Sequence, residues 1–240
     1  MITLRTSDDR GYVDHGWLKS HHSFSFADYH DPAQVGWGNL RVLNEVRIGP
    51  GTGLGTHGHR DMEIITYVLD GTLVHRNDAG GGAGRVGCPD LIRPGDVQRL
   101  TAGTGVRHSE FNLSREATAH VLQIWLLPAE RGLPPGCAQK HVDAAARRGR
   151  LLLLGAPGGE GGAVCLNAEA RFHAGLFDGD EHAELALDPR RPAYVHLARG
   201  KLEVNGLPLR GGDAACVQDE CRLVFGAGQG AEVLVFELAA

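Results

Sequence analysis

The sequence predicts an all-β protein built from two similar barrels in tandem. Thirty-five glycines separate short runs of aliphatic and β-branched residues, as expected where many strands are joined by tight turns. Some junctions have the residues that favoured hairpins use, such as Asp70-Gly71. Parts of the first half also recur weakly in the second half, which indicates a repeated unit. Short antiparallel strands of this kind are typical of a sandwich or barrel and not of a parallel α/β sheet.

The chain begins with a segment, residues 1–39, that is rich in aromatic and histidine side chains. It has no clear helical or strand period, so we expect an extended arm or meander whose rings cover one end of a barrel. His21 and His22 lie in this arm and could approach a metal. We interpret them instead as residues that form hydrogen bonds beneath the arm.

The first half continues as an alternation of strands and turns. Apolar runs predict strands at 40–48, 63–69, 72–76, 91–92, 97–100, 106–111 and 119–127. Pro94-Gly95-Asp96 predicts a turn, and Asn77 to Gly87 predicts a glycine-rich loop without core-forming residues. These elements are sufficient for one barrel.

A break in this pattern separates the two halves. Residues 128–150 are irregular, apart from one or two helical turns that Val142 to Arg147 predict. The predicted division is an N-terminal barrel with its arm at 1–130, a linker at 131–150 and a C-terminal barrel at 151–240.

Three segments of the first half recur after this break. Residues 67–74 are echoed by 195–204, residues 93–96 by 210–213, and residues 119–127 by 231–238. The repeat therefore predicts two copies of one barrel.

Charge and hydropathy exclude several classes of protein. The formal net charge of -5, with interspersed signs, argues against an electrostatic nucleic-acid surface, because such binding requires many phosphates to be neutralised at once. The first ten residues have no apolar run fit for a signal peptide, and no stretch approaches the roughly 20 apolar residues of a membrane span. We therefore expect the protein to reside in the cytoplasm.

The five cysteines have no metal-binding or redox spacing. Cys88, Cys137, Cys165, Cys216 and Cys221 are scattered, odd in number and without a Cys-x-x-Cys pair. We therefore predict neither a disulfide framework nor a thiolate zinc site, and expect the cysteines to be small buried apolar residues.

Two short segments carry side chains that bind metals. In an extended strand, residues i and i+2 point to the same face, so His57 and His59 share one face, and His108 and Glu110 share another. If the two segments are neighbouring strands, three imidazoles and one carboxylate converge on one divalent cation. Solvated loop histidines are the alternative for the first pair alone. The second half has no equivalent pair, so we expect a single metal site.

The same segments resemble a known family. Gly51-x5-His57-x-His59-x3-Glu63 and Gly105-x2-His108-x3-Asn112 are similar to the two cupin motifs. The runs around Trp17 to Phe26, Thr56 to Ile64 and His108 to Glu110 resemble the pirin family within the cupins. The resemblance extends over nearly the whole chain to bacterial pirin-like quercetin 2,3-dioxygenases.

The resemblance implies a bicupin fold of two jelly-roll barrels, with one divalent metal in the N-terminal barrel. It implies His57, His59, His108 and Glu110 as the ligands and iron as the usual metal, whereas the donor types alone also suit Mn, Ni, Cu or Zn. Glu63 stands where general cupins have their carboxylate ligand, although a bend at Asp61 can change its face. We therefore expect Glu110 to be the ligand and Glu63 to orient an imidazole.

The implied activity is the opening of a flavonol ring, such as that of quercetin, with O2. Glu110 is the expected catalytic base for the flavonol hydroxyl, in addition to its role as a ligand. One alternative is a non-catalytic, metal-dependent redox-sensing regulator that binds a protein partner. Another is that quercetin is an incidental substrate and that the natural substrate is a different small enol.

Overall fold

A computed structural model of the chain describes residues 1–79 and 87–240. Almost all of its regular structure is β, which confirms the predicted class. Two short 3₁₀ turns accompany the strands, at Ser7–Asp9 and Glu160–Gly162. The strands and the single short α-helix of the described residues are β1 (Ile2–Arg5), β2 (Gly11–Asp14), β3 (Leu18–His22), β4 (Leu40–Ile48), β5 (Gly53–His59), β6 (Glu63–Asp70), β7 (Leu73–Ala79), β8 (Leu91–Ile92), β9 (Asp96–Thr101), β10 (Val106–Asn112), β11 (Ala119–Leu126), β12 (Gly136–His141), α1 (Ala144–Arg147), β13 (Leu151–Pro157), β14 (Val164–Leu166), β15 (Arg171–Gly179), β16 (Ala183–Ala186), β17 (Ala193–Val204), β18 (Leu207–Arg210), β19 (Ala214–Val217) and β20 (Arg222–Glu237).

The N-terminal half consists of two antiparallel sheets that enclose a cavity. The larger sheet has the order β12-β9-β6-β11-β4-β3-β2, and the smaller sheet has the order β5-β10-β7-β8. Glu110 on β10 is hydrogen-bonded to Gln123 on β11, so the two sheets face each other. Two such facing sheets form the predicted jelly-roll barrel.

The C-terminal half is a second barrel organised around the long strands β17 and β20. Its strand order is β1-β19-β17-β20-β15-β13-β14, with β16 paired to β20 and β18 paired to β17. The pairing of β17 with β20 shifts register at several points, which allows a long sheet to bend round on itself. The prediction of two barrels in tandem is confirmed.

Each half receives a strand from outside its own stretch of sequence. β1 pairs with β19 in the C-terminal sheet, and β12 pairs with β9 at the edge of the N-terminal sheet. The stretch predicted as a linker therefore contains a strand as well as α1. The division at 131–150 stays a prediction.

One cluster of buried apolar side chains spans the two barrels. A single cluster of buried side chains includes Leu43 and Phe24 from the first half and Leu154 and Phe236 from the second. Beside it, the buried Arg147 guanidinium of α1 lies 2.9 Å from the Glu232 carboxylate of the second barrel. One face of the larger sheet is therefore covered by the second barrel, and its other face lines the cavity of the first.

The predicted strands of the first half are present, with one difference at β7. This strand continues to Ala79, whereas the predicted loop began at Asn77. The rest of that predicted loop, residues 80–86, lies outside the described residues. In the part of the chain that the structure describes, no helix is long and apolar enough to cross a membrane. The cytoplasmic location stays a prediction.

The expectation for the cysteines is wrong. Cys88 and Cys137 form a disulfide with their Cα atoms 5.5 Å apart. Cys165 and Cys221 are exposed, and Cys216 is half-buried. The disulfide was missed because its partners are 49 residues apart in sequence and meet only where β12 docks on β9.

Candidate metal centre

Neighbouring strands bring the predicted histidines together. β10 pairs antiparallel with β5, with His108 directly opposite His57. His57 Nε2 and His108 Nε2 are 2.9 Å apart, and the ring centroid of His59 lies 4.8 Å from that of His57 and 4.7 Å from that of His108. One nitrogen of each imidazole lies within 4.8 Å of the other two. Three donors at these separations can surround one cation at about 2.1 Å.

The hydrogen bond of His57 leaves its metal-facing nitrogen free to bind, and a second histidine supports the His108 ring. His57 Nδ1 lies 2.8 Å from the Gly55 carbonyl oxygen, so this nitrogen carries the proton and Nε2 keeps its lone pair. His108 Nδ1 lies 2.8 Å from His75 Nε2, which holds the His108 ring from behind. Partners of this kind fix the tautomer and orientation of metal-binding histidines.

Burial keeps His59, His75 and His108 neutral at physiological pH. Burial, with a smaller contribution from neighbouring histidines, lowers the pKa of His108 to about 2, and burial lowers the pKa of His59 to about 4. The pKa of His75 is also lowered to about 4 by burial. Neutral imidazoles with a free lone pair are the form that binds a metal.

Glu110 lies beside the three histidines but outside their group. The pairing of β10 with β5 shifts register between His108 and Glu110 because β5 has one extra residue there, whereas β10 keeps its alternation. In the described chain, the group of side chains within mutual ligand distance is His57, His59 and His108. The Glu110 carboxylate accepts hydrogen bonds from Gln123 Nε2 at 2.8 Å and from Thr66 Oγ1 at 3.4 Å. Its place among the metal ligands stays a prediction.

Glu63 does not have the expected role. Asp61 has a φ of 50°, so the chain bends between β5 and β6 and the face of Glu63 changes. Its buried carboxylate contacts Arg99 Nε at 3.3 Å and accepts hydrogen bonds from Thr101 and Asn167. Glu63 therefore helps to join the two barrels and does not orient an imidazole.

The histidines lie at one end of an apolar cavity of about 440 Å³. Its walls carry aliphatic and aromatic side chains from the arm and from both sheets, among them Trp17, Leu18, Phe26, Val46, Leu54 and Trp125. The Trp125 ring packs edge-on against His59 at 4.9 Å and against Phe26 at 5.3 Å. The predicted arm thus forms part of the cavity wall.

The two arm histidines lie on opposite faces of β3. His22 is buried and lines the cavity, whereas His21 packs its ring against Tyr12 at 4.8 Å. Neither belongs to the metal-binding group of the described residues.

Two residues that position the site were missed from the sequence. His75 lies two residues after Leu73, a core residue of the strand that follows the Asp70-Gly71 hairpin turn. Residues two apart in a strand point to the same face, so strand alternation indicated that His75 faces inward. Gln123 interrupts the apolar run of residues 121–126 in β11, which is the only signal that the sequence contains.

Two family models match separate parts of the chain. The model described as Pirin matches residues 3–126, and the model described as Quercetinase C-terminal cupin domain matches residues 153–238. The first match includes the three clustered histidines and Glu110.

Similar proteins match over the whole length. A quercetin 2,3-dioxygenase of Escherichia coli K12 is 36% identical, with 99% of each chain covered. A pirin-like protein of Caulobacter vibrioides is 38% identical, with 100% of each chain covered. The crystal structure of the Escherichia coli bacterial pirin YhhW in complex with nickel(II) has a TM-score of 0.90 and 35% identity, and the match covers 100% of this chain and 99% of that one.

Proposed function

The chain belongs to the pirin family, and from this premise we propose that it is a metal-dependent dioxygenase that opens the ring of a flavonol such as quercetin with O2. The convergence of three imidazoles on the wall of an apolar cavity carries the proposal. A cavity of about 440 Å³ suits a planar aromatic molecule of that size. The name of the Escherichia coli relative supports the same substrate class.

We propose Fe(II) as the metal, held by His57, His59 and His108 with Glu110 as the fourth ligand. Imidazole and carboxylate donors suit iron, and they also suit Mn, Ni, Cu or Zn, so the donor set supports a divalent cation rather than one element. When bound, such a cation supplies Lewis-acid polarisation and a coordination position for the adjacent hydroxyl and carbonyl oxygens of a flavonol.

The residues of the chain supply binding and proton transfer. In the proposed reaction, a Glu110 carboxylate oxygen accepts the proton of the flavonol 3-hydroxyl. Burial raises the pKa of Glu110, which makes its carboxylate a stronger base than an exposed one. The aromatic and aliphatic walls hold the flat rings and exclude water from the reacting end.

The test combines metal analysis with turnover. Purified protein loaded with Fe(II) should bleach the flavonol absorption band in air, consuming one O2 and releasing one CO for each quercetin opened. His57→Ala should contain less metal and lose this activity. Metal-loaded protein that bleaches quercetin no faster than His57→Ala would exclude the proposed reaction.

The same measurements separate the enzyme from a regulator. Full turnover by the isolated protein favours the enzyme, because no partner is present. A protein that binds metal, does not consume O2 with any flavonol, and captures a partner only in one iron oxidation state would be a regulator.

A further inference from the structure

A row of polar side chains crosses the cavity face of the larger sheet. Its members are directly opposite one another on adjacent strands and are, in order, His22, Asn44, Gln123, Thr66 and Gln98. Inward-facing positions of a barrel are normally apolar, because a buried polar group without a partner costs about 1–3 kcal/mol. The polar row therefore requires partners inside the cavity or around it.

One end of the row has its partners within the protein. Gln123 and Thr66 donate hydrogen bonds to Glu110, and the Gln98 side chain donates to the Gln139 side chain at 2.8 Å. Gln123 and Thr66 therefore hold the Glu110 carboxylate beside the histidines, and Gln98 has its partner in Gln139.

The other end of the row has unpaired atoms. His22 and Asn44 are each 4% exposed, and both line the cavity. Among the described residues, His22 Nδ1 and Asn44 Oδ1 are buried atoms without a hydrogen-bond partner. Both side chains line the cavity from adjacent strands, so a ligand bound there lies beside two groups that the protein leaves without a partner.

Both side chains offer a hydrogen-bond acceptor. Asn44 Oδ1 is a carbonyl oxygen. Burial lowers the pKa of His22, so the ring is neutral and one of its nitrogens keeps a lone pair. The ligand that suits this pair carries O–H donors.

We propose that His22 and Asn44 are a second recognition point for the substrate, which binds phenolic hydroxyl groups of a flavonol at a distance from the metal centre. Adjacent strands are about 4.8 Å apart, so Asn44 and His22 lie roughly 5 and 10 Å along the row from Gln123 and the carboxylate that it holds. That spacing suits a hydroxyl group on a ring remote from the 3-hydroxyl. The inference rests on the proposed function and specifies its substrate class as polyhydroxylated rather than bare flavonols.

The experiment compares two flavonols that differ only in hydroxyl groups other than the 3-hydroxyl. Quercetin carries hydroxyls on both outer ring systems, and 3-hydroxyflavone has only the 3-hydroxyl and the carbonyl that the metal would bind. Binding is measured without O2 by titration of the metal-loaded protein, and turnover is measured in air. The wild-type protein should prefer quercetin by about tenfold or more in both measurements, because an unmatched polar site rejects a ligand that lacks its hydrogen-bonding group.

His22→Phe and Asn44→Leu should each remove most of this preference. Quercetin affinity and kcat/KM should fall about tenfold, while the values for 3-hydroxyflavone should change less than about twofold. His21→Phe is the matched control, because His21 lies on the opposite face of β3, and it should keep the wild-type preference. The ratio between the two flavonols is insensitive to the fraction of a variant that is folded.

Three results have separate meanings. An equal loss for both flavonols, or an unchanged ratio in both variants, would overturn the recognition role of His22 and Asn44. Wild-type protein that binds quercetin no better than 3-hydroxyflavone would overturn it without any variant. Selective quercetin binding without turnover would support the pair and contradict the proposed function.

Discussion

Gln123 Nε2 lies 2.8 Å from each carboxylate oxygen of Glu110. This contact joins the central strand of the larger sheet to the strand that carries His108. Because the amide faces both oxygens, it fixes the plane of a carboxylate that Thr66 Oγ1 also contacts, at 3.4 Å. The orientation of Glu110 therefore depends on a residue outside the histidine group.

Gln123→Leu should reduce activity while leaving the fold intact. Leucine has a similar volume and removes the donor, so the Glu110 carboxylate loses its main hydrogen bond, and its pKa should rise further. We expect kcat with quercetin to fall about 10–100-fold, as for other supporting residues of metal sites, and the pH profile of kcat to move to higher pH. Gln229→Leu, at an exposed position of β20, is the control. A Gln123→Leu enzyme with the wild-type kcat and pH profile would show that Glu110 is not held by this contact.

His75→Phe should weaken metal binding without removing a metal ligand. The substitution deletes the nitrogen that lies 2.8 Å from His108 Nδ1, so the His108 ring loses the group that orients it. Metal affinity measured by competition with a chelator should fall about 10–100-fold. His173→Phe, a buried histidine of the second barrel, should keep the wild-type affinity. Equal affinities in the wild type and His75→Phe would contradict the supporting role of His75.

Local rules predicted the histidines of the site because their geometry is local. The alternation of side chains along a strand puts His57 and His59 on one face, and pairing of β5 with β10 adds His108. The same rule could not place Glu63, because a bend at Asp61 can reset the alternation between two strands, and Asp61 does adopt a positive φ. A bend of that kind has no reliable signature in one sequence.

Contacts between distant segments could not be predicted in the same way. Nothing near Gln123 in the sequence identifies Glu110 as its partner, since the contact crosses between two sheets. The addition of β1 to the C-terminal sheet likewise joins residues more than 200 positions apart. Such pairings depend on the assembled barrels and not on the local sequence.

Acid should destabilise the protein partly through His196. This ring is fully buried near Arg10, Glu45 and His120, and burial lowers its pKa from 6.5 to about 3. Between those values the unfolded state binds a proton that the folded state does not, so stability is complete above pH 6.5 and falls as the pH decreases towards 3. From pH 7 to pH 5 this one group should lower the free energy of unfolding by about 2 kcal/mol.

His196→Leu should remove that part of the pH dependence. In the described structure neither ring nitrogen of His196 has a hydrogen-bond partner, so leucine removes no hydrogen bond. Urea unfolding at pH 7 and pH 5 should show a smaller loss of stability in the variant than in the wild type. An identical loss in both proteins would mean that His196 is protonated equally in the folded and unfolded states.

The Cys88–Cys137 disulfide should change both the number of free thiols and the free energy of unfolding. Denatured protein that has not been reduced should expose three thiols, those of Cys165, Cys216 and Cys221, and reduced protein should expose five.

Because the bridge closes a loop of 49 residues, Cys137→Ser should lower the free energy of unfolding by about 4 kcal/mol under oxidising conditions. Under reducing conditions the wild type and Cys137→Ser should unfold at similar urea concentrations. Cys165→Ser is the control, since it should lower the thiol count of the unreduced protein by one and leave its stability unchanged. Five thiols in the unreduced protein would show that the pair is not bridged in solution.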